Sequence, residues 1–233
     1  DVLQMAVSSL GTFYNLEVCP EMVKGKKYNK DYFMNTSAAL IGALGSIVAA
    51  WHRIRSIQDP ISSNPQSTYA ENFLLMLGSE KITPLMTRIM DATLVLHGEH
   101  TINASTFTAM VTSSTLANAS QVVASAIGSL SGPLHGGANE KVVSMLSKID
   151  SKDDIRPWLD DTLKAKNVVW GMGHREYSVK DPRANILTDM VQELFNEREG
   201  GVTDIFEKAI ELEKACEEKL AHKGVYPNVD FYS

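Results

Sequence analysis

The sequence predicts an all-α protein. Three features carry that expectation. Apolar residues recur at spacings of three and four along most of the chain, capping residues punctuate those runs, and strand-like stretches are scarce, with residues 167–170 (Asn-Val-Val-Trp) the one tempting case.

Taken in order, Asp1 opens directly into helical pattern, with no secretory leader in view. The most apolar run, residues 38–51, is shorter than the about 20 residues that a bilayer requires. Along it Ala38, Gly42, Ser46 and Ala50 line up small side chains at every fourth position. Such a ridge admits another helix closely, so it is expected in a buried core or a dimer interface. Residues 70–77 and 84–96 carry the helical period again. Residues 104–130 read as one long helix, and its Ser, Thr and Ala content suits a tightly packed central position. Asn139 is expected to cap a helix whose apolar positions are Val142, Val143, Leu146 and Ile149. Two amphipathic stripes follow: Ile186, Leu187, Met190, Val191, Leu194 and Phe195, then Ile205, Ala209, Leu212, Cys216 and Leu220.

Two connections interrupt this pattern. Residues 57–67 form a polar surface loop with two prolines, whereas Ser-Gly-Pro-Leu-His-Gly-Gly (131–137) breaks strongly helical sequence. A domain boundary is expected there, giving domains 1–133 and 134–233. The 233 residues can bury a sizeable core, and 44% hydrophobic with 21% charged residues is an ordinary globular balance. A net charge of −6 argues against nucleic-acid binding and offers no basic face to an anionic membrane. Cys19 and Cys216 lack metal-ligand spacing and suggest no disulfide framework, so a reducing, cytoplasmic setting is expected.

The chemistry-bearing residues cluster in irregular backbone. Of six histidines, His100, His135 and His174 stand in glycine-rich or helix-terminal segments. His97 and His100 do not make the H-E-x-x-H zinc pattern, so no metal is expected. In Lys-Asp-Pro-Arg, Asp181 reads as an N-cap, Pro182 as the first helical residue and Arg183 as a first-turn cation. There it would reinforce an anion site, its planar fork suited to a carboxylate. Asp230, between Val229 and Phe231, is a carboxylate in apolar company, a setting that strengthens a base. There is no P-loop, no G-x-G-x-x-G and no nucleophile elbow.

Four segments, GEHTINAST (98–106), GPLHGGANE (132–140), GMGHREYSVKDPR (171–183) and YPNVDFYS (226–233), together resemble the active-site segments of the citrate synthase family in its shorter bacterial form. The resemblance runs along essentially the whole chain and covers a core segment, since family chains extend beyond both of its ends. It implies a large and a small helical domain and a homodimer or higher oligomer. The implied reaction condenses acetyl-CoA with oxaloacetate and water to give citrate and CoA, with no resident cofactor and no metal. His135 would bond the thioester oxygen, Asp230 would take a methyl proton, and His174 would polarise the oxaloacetate carbonyl. His100 and Arg183 would hold its carboxylates, with Asn103 and Asn228 in support. Trp170, Gly171, Met172 and Gly173 would face the adenine of CoA. Two further arginines belong to the family's segment after the last motif. The glycines Gly132, Gly136 and Gly137 would let backbone turn sharply against substrate, and closure of the small domain would exclude water. Two other readings stay open: a 2-methylcitrate synthase using propionyl-CoA, and a catalytically silent relative that binds ligands or provides a dimer surface.

Overall fold

The computed structural model describes residues 1–13, 29–98, 101–174, 179–197 and 203–232. Among the described residues there are ten α-helices: α1 (Val2–Phe13), α2 (Lys30–Arg55), α3 (Tyr69–Leu77), α4 (Pro84–Leu96), α5 (Ala104–Ser114), α6 (Ala119–Leu130), α7 (Ala138–Leu146), α8 (Ile155–Lys164), α9 (Pro182–Glu197) and α10 (Asp204–Leu220). The β pairing seen among them is one isolated bridge, Met172 with Pro227. The architecture is all-α. The chain divides into two compact units, Asp1–His135 and Gly136–Ser233.

In the first unit, helices α2 to α6 each begin on a side chain that satisfies an otherwise unpaired N–H. Asn29, Thr68, Thr83, Asn103 and Asn118 accept from the amides of Tyr32, Glu71, Met86, Thr106 and Gln121. Each such cap contributes about 1 kcal/mol. Helix α1 packs on α2 and α6, α2 on α3, α3 on α4, and α5 on α6. Val7, Leu40, Ala49, Ala70, Leu74, Met76, Leu85 and Ala124 supply the buried apolar surface.

Residues 104–130 form two helices and not one. Leu116 adopts a left-handed φ of 62°, which ends α5, and Asn118 then caps α6, which turns back against α5. Helix α5 buries no residue, so the expected central position belongs to α6. The small-residue ridge of α2 is also not in the core. Ala38, Gly42 and Ser46 are exposed along a groove of about 440 Å³ that Leu10, Tyr69 and Met76 also line. The positions that α2 buries are Thr36, Leu40, Gly45 and Ala49. The helix outruns its apolar sequence at both ends. Its 26 residues are long and apolar enough to cross a membrane by length and composition, and 22% of its most apolar window is buried within the chain.

The second unit is built around α10, whose face of Phe206, Ala209, Leu212, Ala215, Cys216 and Leu220 is buried at helical spacing. Val142, Met145 and Leu146 of α7, Ile155 and Leu159 of α8, and Phe231 close over it. Asn139 does not cap α7. Gly137 occupies the cap position without a side-chain bond, Asn139 Oδ1 accepts from the amide of Glu140, and Val143 points outward at 49% exposure. Cys216 is a free thiol in this core. Burial, with the charge of Glu213, pushes it up to about 12, so it is a packing residue and not a nucleophile.

Candidate active site

In the first unit the glycine-rich loop after α6 brings His135 to α5. The His135 amide donates to Gly132 O at 3.0 Å, closing a turn, and the ring Nε2 lies 2.8 Å from Ser105 Oγ in the first turn of α5. Ser105 Oγ is also 3.0 Å from the carbonyl of Ala126. Nε2 is thereby occupied by protein, and Nδ1 is the nitrogen left for a ligand. Asn103 spends its Oδ1 on capping α5. His100 lies outside the described residues.

None of Gly132, Gly136 or Gly137 has a positive φ, so the sharp turn expected of them is made with ordinary backbone. Among the motif segments the left-handed glycines are in the second unit, Gly171 at φ 79° and Gly173 at φ 86°. At Gly171 a Cβ would stand 2.7 Å from Phe231 Cδ2 and 2.8 Å from Val142 Cγ2. Glycine is required there for both conformation and space.

Those two glycines allow residues 170–174 to run against residues 225–231. Gly173 N donates to Tyr226 O at 2.7 Å and Asn228 N to Gly171 O at 2.9 Å, flanking the Met172–Pro227 bridge. Asn228 then links the two segments through its side chain. Its Nδ2 donates to Gly173 O at 2.8 Å, while its Oδ1 accepts from the amide of Asp230 at 3.0 Å. Asp230 is thus presented on a single turn of 3₁₀ helix, Val229–Phe231, half-buried between two buried apolar neighbours. Trp170 is half-buried with the Lys141 ammonium 5.7 Å from its ring centroid.

The same segment anchors the start of α9, because Asp181 N donates to Pro227 O at 3.3 Å. Pro182 is the first residue of α9. Asp181 caps it, accepting from Arg183 N on Oδ1 at 2.9 Å. The Arg183 side chain folds back on this cap, with Nε 3.0 Å from Oδ1 and Nη2 2.7 Å from Oδ2. The carboxylate is fully buried and the guanidinium 14% exposed. Burial alone would raise the Asp181 carboxyl. The Arg183 bonds, with the charges of Arg183 and His174, outweigh it and hold the group below its usual range. His174 therefore shares the field of this carboxylate. The expected fork of Arg183 is half spent, since its Nε–Nη2 edge faces Asp181 and leaves Nη1 and one Nη2 hydrogen for a ligand.

The structure thus brings His174, Arg183, Asn228, Asp230 and residues 170–173 into one neighbourhood of the second unit, while His135 and Asn103 belong to the first. Sequence reading did not single out Ser105, which carries no mark beyond the helix start, or Asp181 as more than a cap. Among the described residues no cluster of three or more His, Cys, Asp or Glu could hold a metal ion.

The family model for the citrate synthase C-terminal domain matches residues 1–233. The citrate synthase of Synechocystis sp. is 45% identical over 233 residues, covering all of this chain and 56% of that protein. That of Acidithiobacillus ferridurans is 43% identical over 233 residues, covering 60% of its length. A solved structure of the Thermoplasma acidophilum citrate synthase, a ternary complex with carboxymethyl coenzyme A and oxaloacetate, superposes with a TM-score of 0.84 at 28% identity, over 99% of this chain and 58% of that one. The chain spans between half and two thirds of the length of these relatives.

Proposed function

The chain belongs to the citrate synthase family, and on that premise we propose that it carries acid–base machinery of a citrate-forming condensation. In this reading Asp230 accepts a proton from the acetyl methyl of acetyl-CoA, and His135 donates a hydrogen bond to the thioester oxygen where charge develops. A thioester α-carbon is a very weak acid, and one donor of this kind contributes about 3–4 kcal/mol to the transition state. With Nε2 engaged by Ser105, the donor is Nδ1–H. A neutral ring then needs the one hydroxyl hydrogen of Ser105 to turn from the Ala126 carbonyl to Nε2, so the serine governs the tautomer.

His174 polarises the oxaloacetate carbonyl that the enolate carbon attacks, and hydrolysis of the resulting thioester releases citrate and CoA. Arg183 and His100 bind the oxaloacetate carboxylates, Arg183 through Nη1 because Asp181 holds its other edge. Asn103 and Asn228 support this site, Asn228 by joining Gly173 to Asp230. Trp170, Gly171, Met172 and Gly173 offer backbone to the adenine. Acetyl-CoA is a substrate in this scheme and no resident cofactor takes part.

The observation that supports the reading best is the Asn228 amide, which holds the turn carrying Asp230 against the loop that ends in His174. A cytoplasmic homodimer goes with it. Met34, Ile41 and Val48, spaced by one heptad on α2, are exposed at 60%, 53% and 38%, an apolar face suited to a second copy. Thiol release measured with oxaloacetate and either acetyl-CoA or propionyl-CoA tests the proposal. Faster turnover of propionyl-CoA would make this a 2-methylcitrate synthase, and binding of both substrates without thiol release would make it a silent member.

A further inference from the structure

Two residues flank the proposed reacting groups of the second unit and reach the same carboxylate. Lys180 precedes Asp181, and Tyr232 follows Asp230 by two positions. Glu213, in the middle of α10, receives the Lys180 ammonium on Oε1 and the Tyr232 hydroxyl on Oε2. The Glu213 side chain is 15% exposed and that of Lys180 27%. The Lys180 ammonium also lies 6.0 Å from the Tyr232 ring centroid, so each of the three groups meets the other two. Tyr232 is fixed edge-on against Phe231 at 4.8 Å and Phe206 at 6.1 Å between centroids. Burial, and then the bond and charge of Glu213, hold its phenol far above the ordinary range, so it stays a neutral donor at physiological pH.

A carboxylate has two oxygens, and here each is committed to a different arm of the site. Helix α10 lays its buried face through the core of its unit and is a rigid base for such a link. Simple stabilisation would be served by either arm alone. We propose that Glu213 is a positioning residue, tying the Asp230 turn to the start of α9 and setting the spacing between the base and Arg183. This rests on the roles proposed above for those two residues.

The test uses the full chain and three variants. Lys180→Met removes one arm, Tyr232→Phe the other together with its bond to Thr188 of α9, and Glu213→Gln the charge that serves both. In backbone amide spectra, Lys180→Met is expected to shift the Asp230 resonance and Tyr232→Phe that of Arg183, with non-additive shifts in the double variant. Far-arm resonances that stay in place in folded single variants would overturn the proposal, whether or not the protein turns over. Where thiol release is measurable, Glu213→Gln should lower kcat about 10- to 100-fold at temperatures where the variant is fully folded. Unchanged kcat would remove the positioning role and leave the assignment of Asp230 as base intact. Should Glu213→Gln fail to fold, the two single-arm variants carry the same test.

Discussion

His135 Nε2 lies 2.8 Å from the hydroxyl of Ser105, which stands thirty positions earlier in the chain. The contact orients the imidazole, and the Ser105 hydrogen, turned from the Ala126 carbonyl to Nε2, would hold the proton on Nδ1. Ser105→Ala should therefore leave a folded protein in which the neutral ring is no longer held as the Nδ1–H form. Nitrogen chemical shifts of His135 report this directly, and thiol release should fall at least about tenfold. An unchanged tautomer in the variant would disprove the role.

Asp230→Asn removes the proposed base and keeps the shape of the turn. Turnover is expected to fall by about 10²–10⁴, the range for a positioned general base. Oxaloacetate affinity should change little, since Asp230 acts on the other substrate. Calorimetry beside the rate assay separates the two, and equal losses in both would point to a carboxylate-binding or folding role.

Asp181→Asn leaves the Arg183 charge with a neutral partner in a buried place, and breaking such a pair costs about 3–5 kcal/mol. The pH dependence follows from the lowered carboxyl of Asp181. A group whose folded pKa is depressed stabilises fully above its unfolded value of about 3.9, and that stabilisation fades as pH falls through the folded value. Urea unfolding of the wild type should lose this contribution below about pH 4. In the variant it is absent at neutral pH, so the two stability curves converge in acid. Parallel curves would show that the pair contributes nothing.

Gly171 and Gly173 share a left-handed backbone but differ in their surroundings. Gly173→Ala meets Val225 Cγ1 no closer than 3.9 Å and should cost only the conformational penalty, about 1–2 kcal/mol. Gly171→Ala drives a methyl into Phe231 and Val142 and adds a packing cost of about 1–3 kcal/mol. Guanidinium denaturation of the two variants should rank them in that order.

The helices were legible because burial on one face leaves the 3.6-residue period in sequence, as the stripe of α10 shows: Ala209, Leu212, Cys216 and Leu220 are all buried. Ile205 and Ile186 belong to such stripes yet remain 39% and 43% exposed, since periodicity names a face and not what covers it. The break at Leu116 was hidden because neither glycine nor proline marks it, and a single left-handed leucine ended the helix. Small residues on α2 announced close packing without saying with what. In the site, Asp181, Pro182 and Arg183 were readable as a helix start because capping is local chemistry. The pairing of Arg183 with its own cap was not, because sequence gives the reach of a side chain and not its rotamer. Ser105 meets His135 through a tertiary fold between α5 and the loop after α6, and no short-range pattern encodes that.

The backbone pairing of residues 171–173 with 226–228 also sets an order of events during synthesis. Ribosomes deliver the chain from its N-terminus at about 5–20 residues per second, and early units fold as they emerge. Gly171 and Gly173 are made well before Tyr226 and Asn228, the partners that hold them in left-handed backbone, and α9 and α10 emerge in between. The first unit can mature on the ribosome, whereas the loop ending in His174 must wait, untemplated, until residues 226–228 have emerged. A ribosome stalled after α10 would display a folded first unit and a second without its reactive geometry, and proteases cutting near Gly173 would distinguish that species from one in which residues 226–228 have emerged.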